Sequence, residues 1–307
     1  MSSILFADDT SLILSGPKMN ELVAKVNEEL CNIRQFLLAN KLSLNVSKTT
    51  FTVISPKHKK ITETIKLKIG NDEIKETNEF KFLGVLVHKN FRFQGQFEKV
   101  LEKVKKGVNA LIRAKKLLNY KAKIRIYHSL IHSHISYCCM SWISKISSKQ
   151  MKQLATLQKR ALRAVFNARF NSHTNILFSL SRVTKVEDLF EKEALLTMYK
   201  FKNNLLPAAI SKAIKNHTEL NLPPSTRNQT SKNLAIKGLK KGNIFYDMID
   251  FWNKCGSEIK ERTYEMPSVK QRINHLLRQR YDFDCDRNRC FSCFRTNEVG
   301  LESYMKQ

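Results

Sequence analysis

Between Glu102 and Glu187 the sequence has no acidic residue, a gap of 84 positions. That absence removes the mixed-sign pattern by which a solvated helical face usually limits repulsion among its own charges. No uninterrupted apolar run reaches the ~18 residues of a membrane span. The apolar N-terminus is cut by Asp8 and Asp9, which excludes the hydrophobic region of a signal peptide. Seven cysteines, an odd number scattered through 307 residues, do not form a disulfide framework, so reduced thiols are expected. Internal repeats and low-complexity tracts are also lacking. A soluble protein of the cytoplasm or nucleus is the expectation, not a secreted or membrane-bound one. With 42% hydrophobic residues the chain can supply real cores, and its length suits two domains at about 150 residues each.

What is present in excess is positive charge. Lys and Arg number 54 against 27 acidic residues, a formal net charge of +27. Residues 1–55 hold five basic and five acidic side chains and sum to zero. The acid-free stretch holds 18 Lys or Arg, which against the net +27 is two thirds. A polyanion-binding surface explains such a block better than a solvated face does, and nucleic acid is the commonest polyanion.

Apolar spacing divides the chain into a mixed front and a helical remainder. Ile4–Phe6 and Ser11–Leu14 read as two strands, with Ala7-Asp8-Asp9-Thr10 as the tight turn and both carboxylates at its tip. Met19 to Leu37 recurs at the period of one helix face, and Asn40 is a plausible stop. Leu42, Leu44 and Val46 alternate as in a strand, and Phe51–Ile54 reads as a second one. Ile65, Leu67 and Ile69 open a hairpin through the Gly70-Asn71 turn, followed by an apolar strand from Phe80 to Val87 that carries Gly84. From Phe97 onward the stripes are helical: 97–112, 124–138, 151–165, 186–202 and 269–280. The stretch 221–233, with Pro223-Pro224, reads as a loop.

Three groups of residues could carry chemistry. Asp8-Asp9 is either a water-facing turn or a pair of hard oxygen ligands for Mg²⁺, which in pairs serves in-line phosphoryl transfer. Cys285, Cys290 and Cys293 could belong to a zinc knuckle or be free thiols; a tetrahedral site needs a fourth ligand, and His275 is the nearest histidine. His128 and His132 have the i, i+4 spacing of a zinc pair, but no Glu lies between them, which excludes a metalloprotease site and favours ordinary helix residues. Trp142 and Trp252 read as core.

Phe6-Ala7-Asp8-Asp9-Thr10 resembles the Tyr/Phe-Ala-Asp-Asp box of reverse transcriptases from non-LTR retrotransposons of the jockey-like kind. Phe36-Leu37-Leu38-Ala39-Asn40-Lys41-Leu42-Ser43-Leu44-Asn45 with Lys48-Thr49 resembles the next palm motif. Phe80-Lys81-Phe82-Leu83-Gly84-Val85 resembles the primer grip. Leu157-Gln158-Lys159-Arg160-Ala161 is similar to the helical region beyond the palm. Met198 to Lys202, Ser225-Thr226-Arg227 and Phe251-Trp252-Asn253 are similar to the family's remoter tail.

The resemblance implies an RNA-directed DNA polymerase that joins a primer 3′-hydroxyl to the α-phosphate of a dNTP with two Mg²⁺ ions. Asp8 would be the metal-binding carboxylate, with Asp9 supporting it. Lys48 would stand near the triphosphate or, alternatively, be a solvated turn residue. Phe82, Leu83 and Gly84 would place the primer end, or simply form a core strand. Lys103, Lys105, Lys106, Lys115, Lys116, Lys152, Lys159, Arg160 and Arg163 would hold the phosphates of an RNA template and DNA primer.

The expected fold is α+β: a partial palm over 1–93, a basic helical thumb-like region over 94–183 and a helical C-terminal region with a Cys-containing tail over 184–307. Family members carry fingers and a further aspartate upstream of the box, and only seven residues precede Asp8 here. The expectation is therefore a truncated copy, inactive alone, whose Ile4–Phe6 strand has an exposed apolar edge. The alternative is a non-catalytic RNA- or DNA-binding protein derived from such an element.

Overall fold

The computed structural model describes residues 2–55, 65–220, 234–236, 238–260 and 265–282. The chain is mixed helix and sheet, as an α+β reading expects, and forms two compact units, Met1–Gly95 and Gln96–Gln307. The 221–233 segment, Ser225-Thr226-Arg227 and the three C-terminal cysteines lie outside the described residues.

In the first unit β1 (Ser2–Phe6) and β2 (Asp9–Ile13) pair antiparallel, with Phe6 opposite Asp9. Helix α1 (Met19–Ala39) comes next. It stops as expected at Asn40, whose side-chain amide donates to the Phe36 carbonyl at 2.8 Å. Its buried Leu30 packs on Leu67, Ile69 and Ile74, with Val23 and Val26 alongside.

Those strand residues come from β4 (Leu67–Ile69) and β5 (Asp72–Glu76), a hairpin turning at Gly70 with φ 65°. β3 (Thr50–Phe51) adds to β5 in parallel. β6 (Glu79–Phe82) and β7 (Val85–His88) form a separate hairpin.

Three strand expectations are corrected here. Leu42 to Val46 is not a strand: Leu42 and Leu44 are exposed, so pairing would bury nothing, and Asn45 instead caps a 3₁₀ turn over Val46–Lys48. The second strand is Thr50–Phe51 only, because Thr52 turns its hydroxyl to the Thr77 carbonyl at 2.8 Å. The Phe80–Val87 run is two strands, with Leu83 (φ 44°) and Gly84 (φ 87°) making a two-residue turn of the kind whose twist suits a hairpin.

Among its described residues the second unit is helical apart from β8 (Thr218–Leu220) paired with β9 (Leu234–Ile236). Helix α2 (Gln94–Ala114) buries Val104, Val108 and Leu111. It passes so close to Leu130 that a Cβ on Gly107 would meet that residue's carbonyl oxygen at 2.7 Å, so only glycine fits. Helix α3 (Tyr120–Tyr127) runs into a π-helical turn over His128–His132 and on into α4 (Ser133–Ser136).

The helix expected to reach Cys138 ends before it. Cys138 is left-handed (φ 47°), and the buried indole of Trp142, in α5 (Cys139–Trp142), donates to the Tyr137 carbonyl at 3.1 Å. Helix α6 (Ser148–Val165) opens on a full capping box made by Ser147 and Gln150.

Helices α7 (Asn175–Ser181), α8 (Leu189–Lys202), α9 (Ala208–Lys215), α10 (Ile244–Lys254), α11 (Ser257–Lys260) and α12 (Met266–Asp282) complete the unit. A core of Ala194, Met198, Ile249, Trp252 and Ile273 joins α8, α10 and α12. Tyr281 fastens α12 near the start of α8, donating to Asp188 Oδ2 at 2.6 Å and accepting from the Lys185 amide at 3.0 Å.

One buried polar side chain ties the basic segment to the chain leading into α8. Gln158 of α6 is fully buried; its Nε2 donates to the Tyr127 hydroxyl and the Thr184 carbonyl, both at 2.9 Å, and its Oε1 accepts the Val186 amide at 2.9 Å. Gln158→Leu would strand the Thr184 and Val186 backbone groups. It is expected to cost on the order of 3 kcal/mol, read as a lower urea midpoint with unchanged slope.

Candidate nucleic-acid interface and carboxylate pair

The β1–β2 turn is tighter than the sequence suggests. Only Ala7 and Asp8 form it, with Ala7 left-handed at φ 50°. Asp8 stands at the tip, whereas Asp9 is the first residue of β2, a correction to placing both at the tip. A pair directly opposed across an antiparallel ladder projects to one face, so Asp9 shares its side of the ribbon with Phe6. Both aspartates are exposed, as are Ile4, Leu5 and Phe6 at 40%, 72% and 62%.

The donor set tests the fit of Mg²⁺. Hard carboxylate oxygens suit it, but among the described residues no three His, Cys, Asp or Glu side chains gather into a metal-holding group. Asp8 and Asp9 are two adjacent hard-oxygen donors that could hold a Mg²⁺ ion. Lys48 is exposed on the 3₁₀ turn, its amide held by Asn45 Oδ1 at 3.2 Å. Phe82, Leu83 and Gly84 are half-buried around the β6–β7 turn rather than within a core strand.

The nine cations expected to hold phosphates all lie in the second unit, on α2, on α6 or in the turn after α2. Lys103, Lys105, Lys106, Lys116, Lys152 and Arg160 are exposed; Lys115, Lys159 and Arg163 are half-buried. Two already have protein partners. Lys106 pairs with Glu102 at 2.6 Å, an exposed bridge of small energetic weight, and Arg163 donates through Nε to the Ser172 carbonyl at 2.9 Å.

Periodicity alone did not single out Lys121 and Arg125, exposed on α3, or Lys123, which is buried on the same helix. Burial, and after it the neighbouring Lys115, lowers the Lys123 amine's pKa. The signal that could have found Lys121 and Arg125 was present: they fall on the polar side of the Ile124, Tyr127, Ile131 stripe.

Among the described residues Cys31, Cys138, Cys139 and Cys255 are free thiols. Trp142 and Trp252 are core residues, as expected. No described helix is long and apolar enough to cross a membrane. His128 is exposed and meets His132 edge to face, with ring centroids 5.4 Å apart.

The His132 Nδ1 is sealed from solvent without a hydrogen-bond partner. Burial first, then His128, Lys192 and Lys270, pushes its pKa down to about 4. Comparison of the chain with family models, with curated proteins and with solved structures finds no match.

A histidine whose folded pKa is depressed contributes stability above its ordinary value near 6.5 and loses it as pH falls toward 4. Over that window His132 should remove roughly 2–3 kcal/mol. Urea midpoints at pH 7 and pH 4.5 should therefore differ less in His132→Gln than in the unsubstituted chain.

Proposed function

We propose that this chain carries palm-like and thumb-like segments of a reverse transcriptase of the non-LTR retrotransposon type. It holds an RNA template and DNA primer and does not polymerise by itself. The binding part of this reading rests on the acid-free block, in which Lys103, Lys105, Lys106, Lys152 and Arg160 stand at exposed positions of α2 and α6 while Val104, Val108, Leu154 and Leu162 are buried. Such side chains neutralise phosphates without reading base sequence. The family part rests on three motifs in order, at Phe6–Thr10, Phe36–Thr49 and Phe80–Val85, the first and third of which fall on tight hairpin turns.

In this reading Asp8 and Asp9 are a residual Mg²⁺ site, Lys48 is the remnant of a triphosphate contact, and Phe82-Leu83-Gly84 is the remnant of a primer grip. A dNTP is the second substrate of polymerases of that family. Two exposed carboxylates without a third acidic neighbour among the described residues favour binding without catalysis.

Binding to an RNA–DNA duplex should weaken steeply with salt. An interface using about five phosphate contacts gives a slope of log affinity on log salt near −4.5. Combined Lys103→Ala, Lys105→Ala and Lys152→Ala should flatten that slope by roughly 2–3, and a slope near zero in the unsubstituted chain would refute the interface. Primer extension on an RNA template with Mg²⁺ and dNTPs should yield no product. Synthesis that disappears in Asp8→Ala would show instead an active polymerase.

A further inference from the structure

Two turns that follow basic helices carry large apolar side chains in water. Leu117, in the turn after α2, and Phe170, in the turn after α6, are each 86% exposed, more than any other exposed large hydrophobic residue among those described. Tyr120, at the start of α3, and Phe166, just after α6, have ring centroids 5.3 Å apart.

Phe170 is held out by a built turn. Just beyond α6, Asn167 is left-handed (φ 52°), and the Ala168 amide donates to the Arg163 carbonyl at 2.8 Å. The Ser172 amide then donates to the Arg169 carbonyl at 3.0 Å, closing a β-turn with Phe170 and Asn171 at its corner. The Arg163 guanidinium clamps the far side through the Ser172 carbonyl at 2.9 Å. Such corners usually hold Gly, Pro, Asn, Asp or Ser, and a phenylalanine there forgoes burial.

The setting is cationic. Lys116 precedes Leu117 and Arg169 precedes Phe170 in sequence, both exposed, and no acidic residue occurs anywhere from Lys103 to Val186. An exposed, preorganised ring within a positive field suits an unpaired base, because stacking needs only a π-face and the field holds the phosphates on either side.

We propose that Phe170 forms a stacking platform for an unpaired base of single-stranded nucleic acid where it leaves the duplex. This rests on the nucleic-acid reading of the basic helices and adds to it a preference for single-stranded character. Charge complementarity selects this occupant over an apolar protein partner, which the surrounding cations would disfavour.

The test is fluorescence anisotropy on the full chain with two labelled probes, a blunt RNA–DNA duplex and the same duplex with an RNA overhang of about six nucleotides. The unsubstituted chain should prefer the overhang probe. Phe170→Ala should weaken that probe about tenfold while changing the blunt duplex less than about twofold. Phe170→Trp should keep the preference, and its indole fluorescence should be quenched by the overhang probe more than by the blunt one, against a background of two buried tryptophans.

Equal loss on both probes in Phe170→Ala, or no loss on the overhang, overturns the platform while leaving duplex binding intact. Failure of the unsubstituted chain to bind either probe overturns the nucleic-acid reading and the platform with it. Sedimentation as a dimer that Phe170→Ala converts to monomer would assign the patch to self-association instead.

Discussion

The second unit depends on one amide. Gln158 sits on the buried side of α6, where an apolar residue would ordinarily stand, and spends its donors and acceptor on α3 and on the backbone that leads into α8. A buried amide costs stability unless its groups are paired, and here both Nε2 donations and the Oε1 acceptance are made. Because three partners converge on one planar group, helix α6 has little freedom to rotate about its axis. That fixes which side faces the core and therefore which side presents Lys152 and Arg160 to water. Tyr127 contributes from α3; its burial pushes the phenol's pKa up and keeps it neutral.

The acid-free surface survives because the apolar contributions beneath it are larger than the repulsions above. Two exposed cations about 10 Å apart in water repel by roughly 0.4 kcal/mol before salt screening. Full burial of a single Leu or Val contributes about 1.5–3 kcal/mol. Val104, Val108, Leu111, Leu154 and Leu162 are each completely buried under this surface. A handful of such residues therefore outweighs many screened repulsions, and the charge can be kept for a partner rather than neutralised within the fold.

Legibility in the sequence tracked what its pattern encodes. The stripes at 97–112, 151–165, 186–202 and 269–280 became α2, α6, α8 and α12, because a 3.6-residue apolar period has no other compact solution at that length. Three of the misreadings share a cause. Ala7, Leu83 and Cys138 all take left-handed backbone, at a glycine-adjacent position only in the case of Leu83, and none is a residue type that announces a turn. Each is held there by pairing or packing from elsewhere: the β1–β2 ladder, the β6–β7 ladder and the Trp142 indole. The Asp-Asp dipeptide was legible as a turn, but its division between tip and strand is set by hairpin register. Gln158 was hidden because a polar residue on an apolar face gives no sign of whether it is buried and satisfied.

The β1–β2 ribbon bears on the chemistry of its carboxylates in a different way. A two-stranded ribbon with both faces largely in water is only marginally stable, since it gains ladder hydrogen bonds but little apolar burial. Phosphoryl-transfer catalysis draws its power from charges fixed before the substrate arrives, so that no free energy is lost to reorganisation as charge develops. Asp8 and Asp9 stand on a support that must itself be ordered, so part of the free energy of capturing a cation there goes into immobilising the ribbon. The mounting of this pair, as well as its ligand count, sets how much of any cation's binding free energy remains.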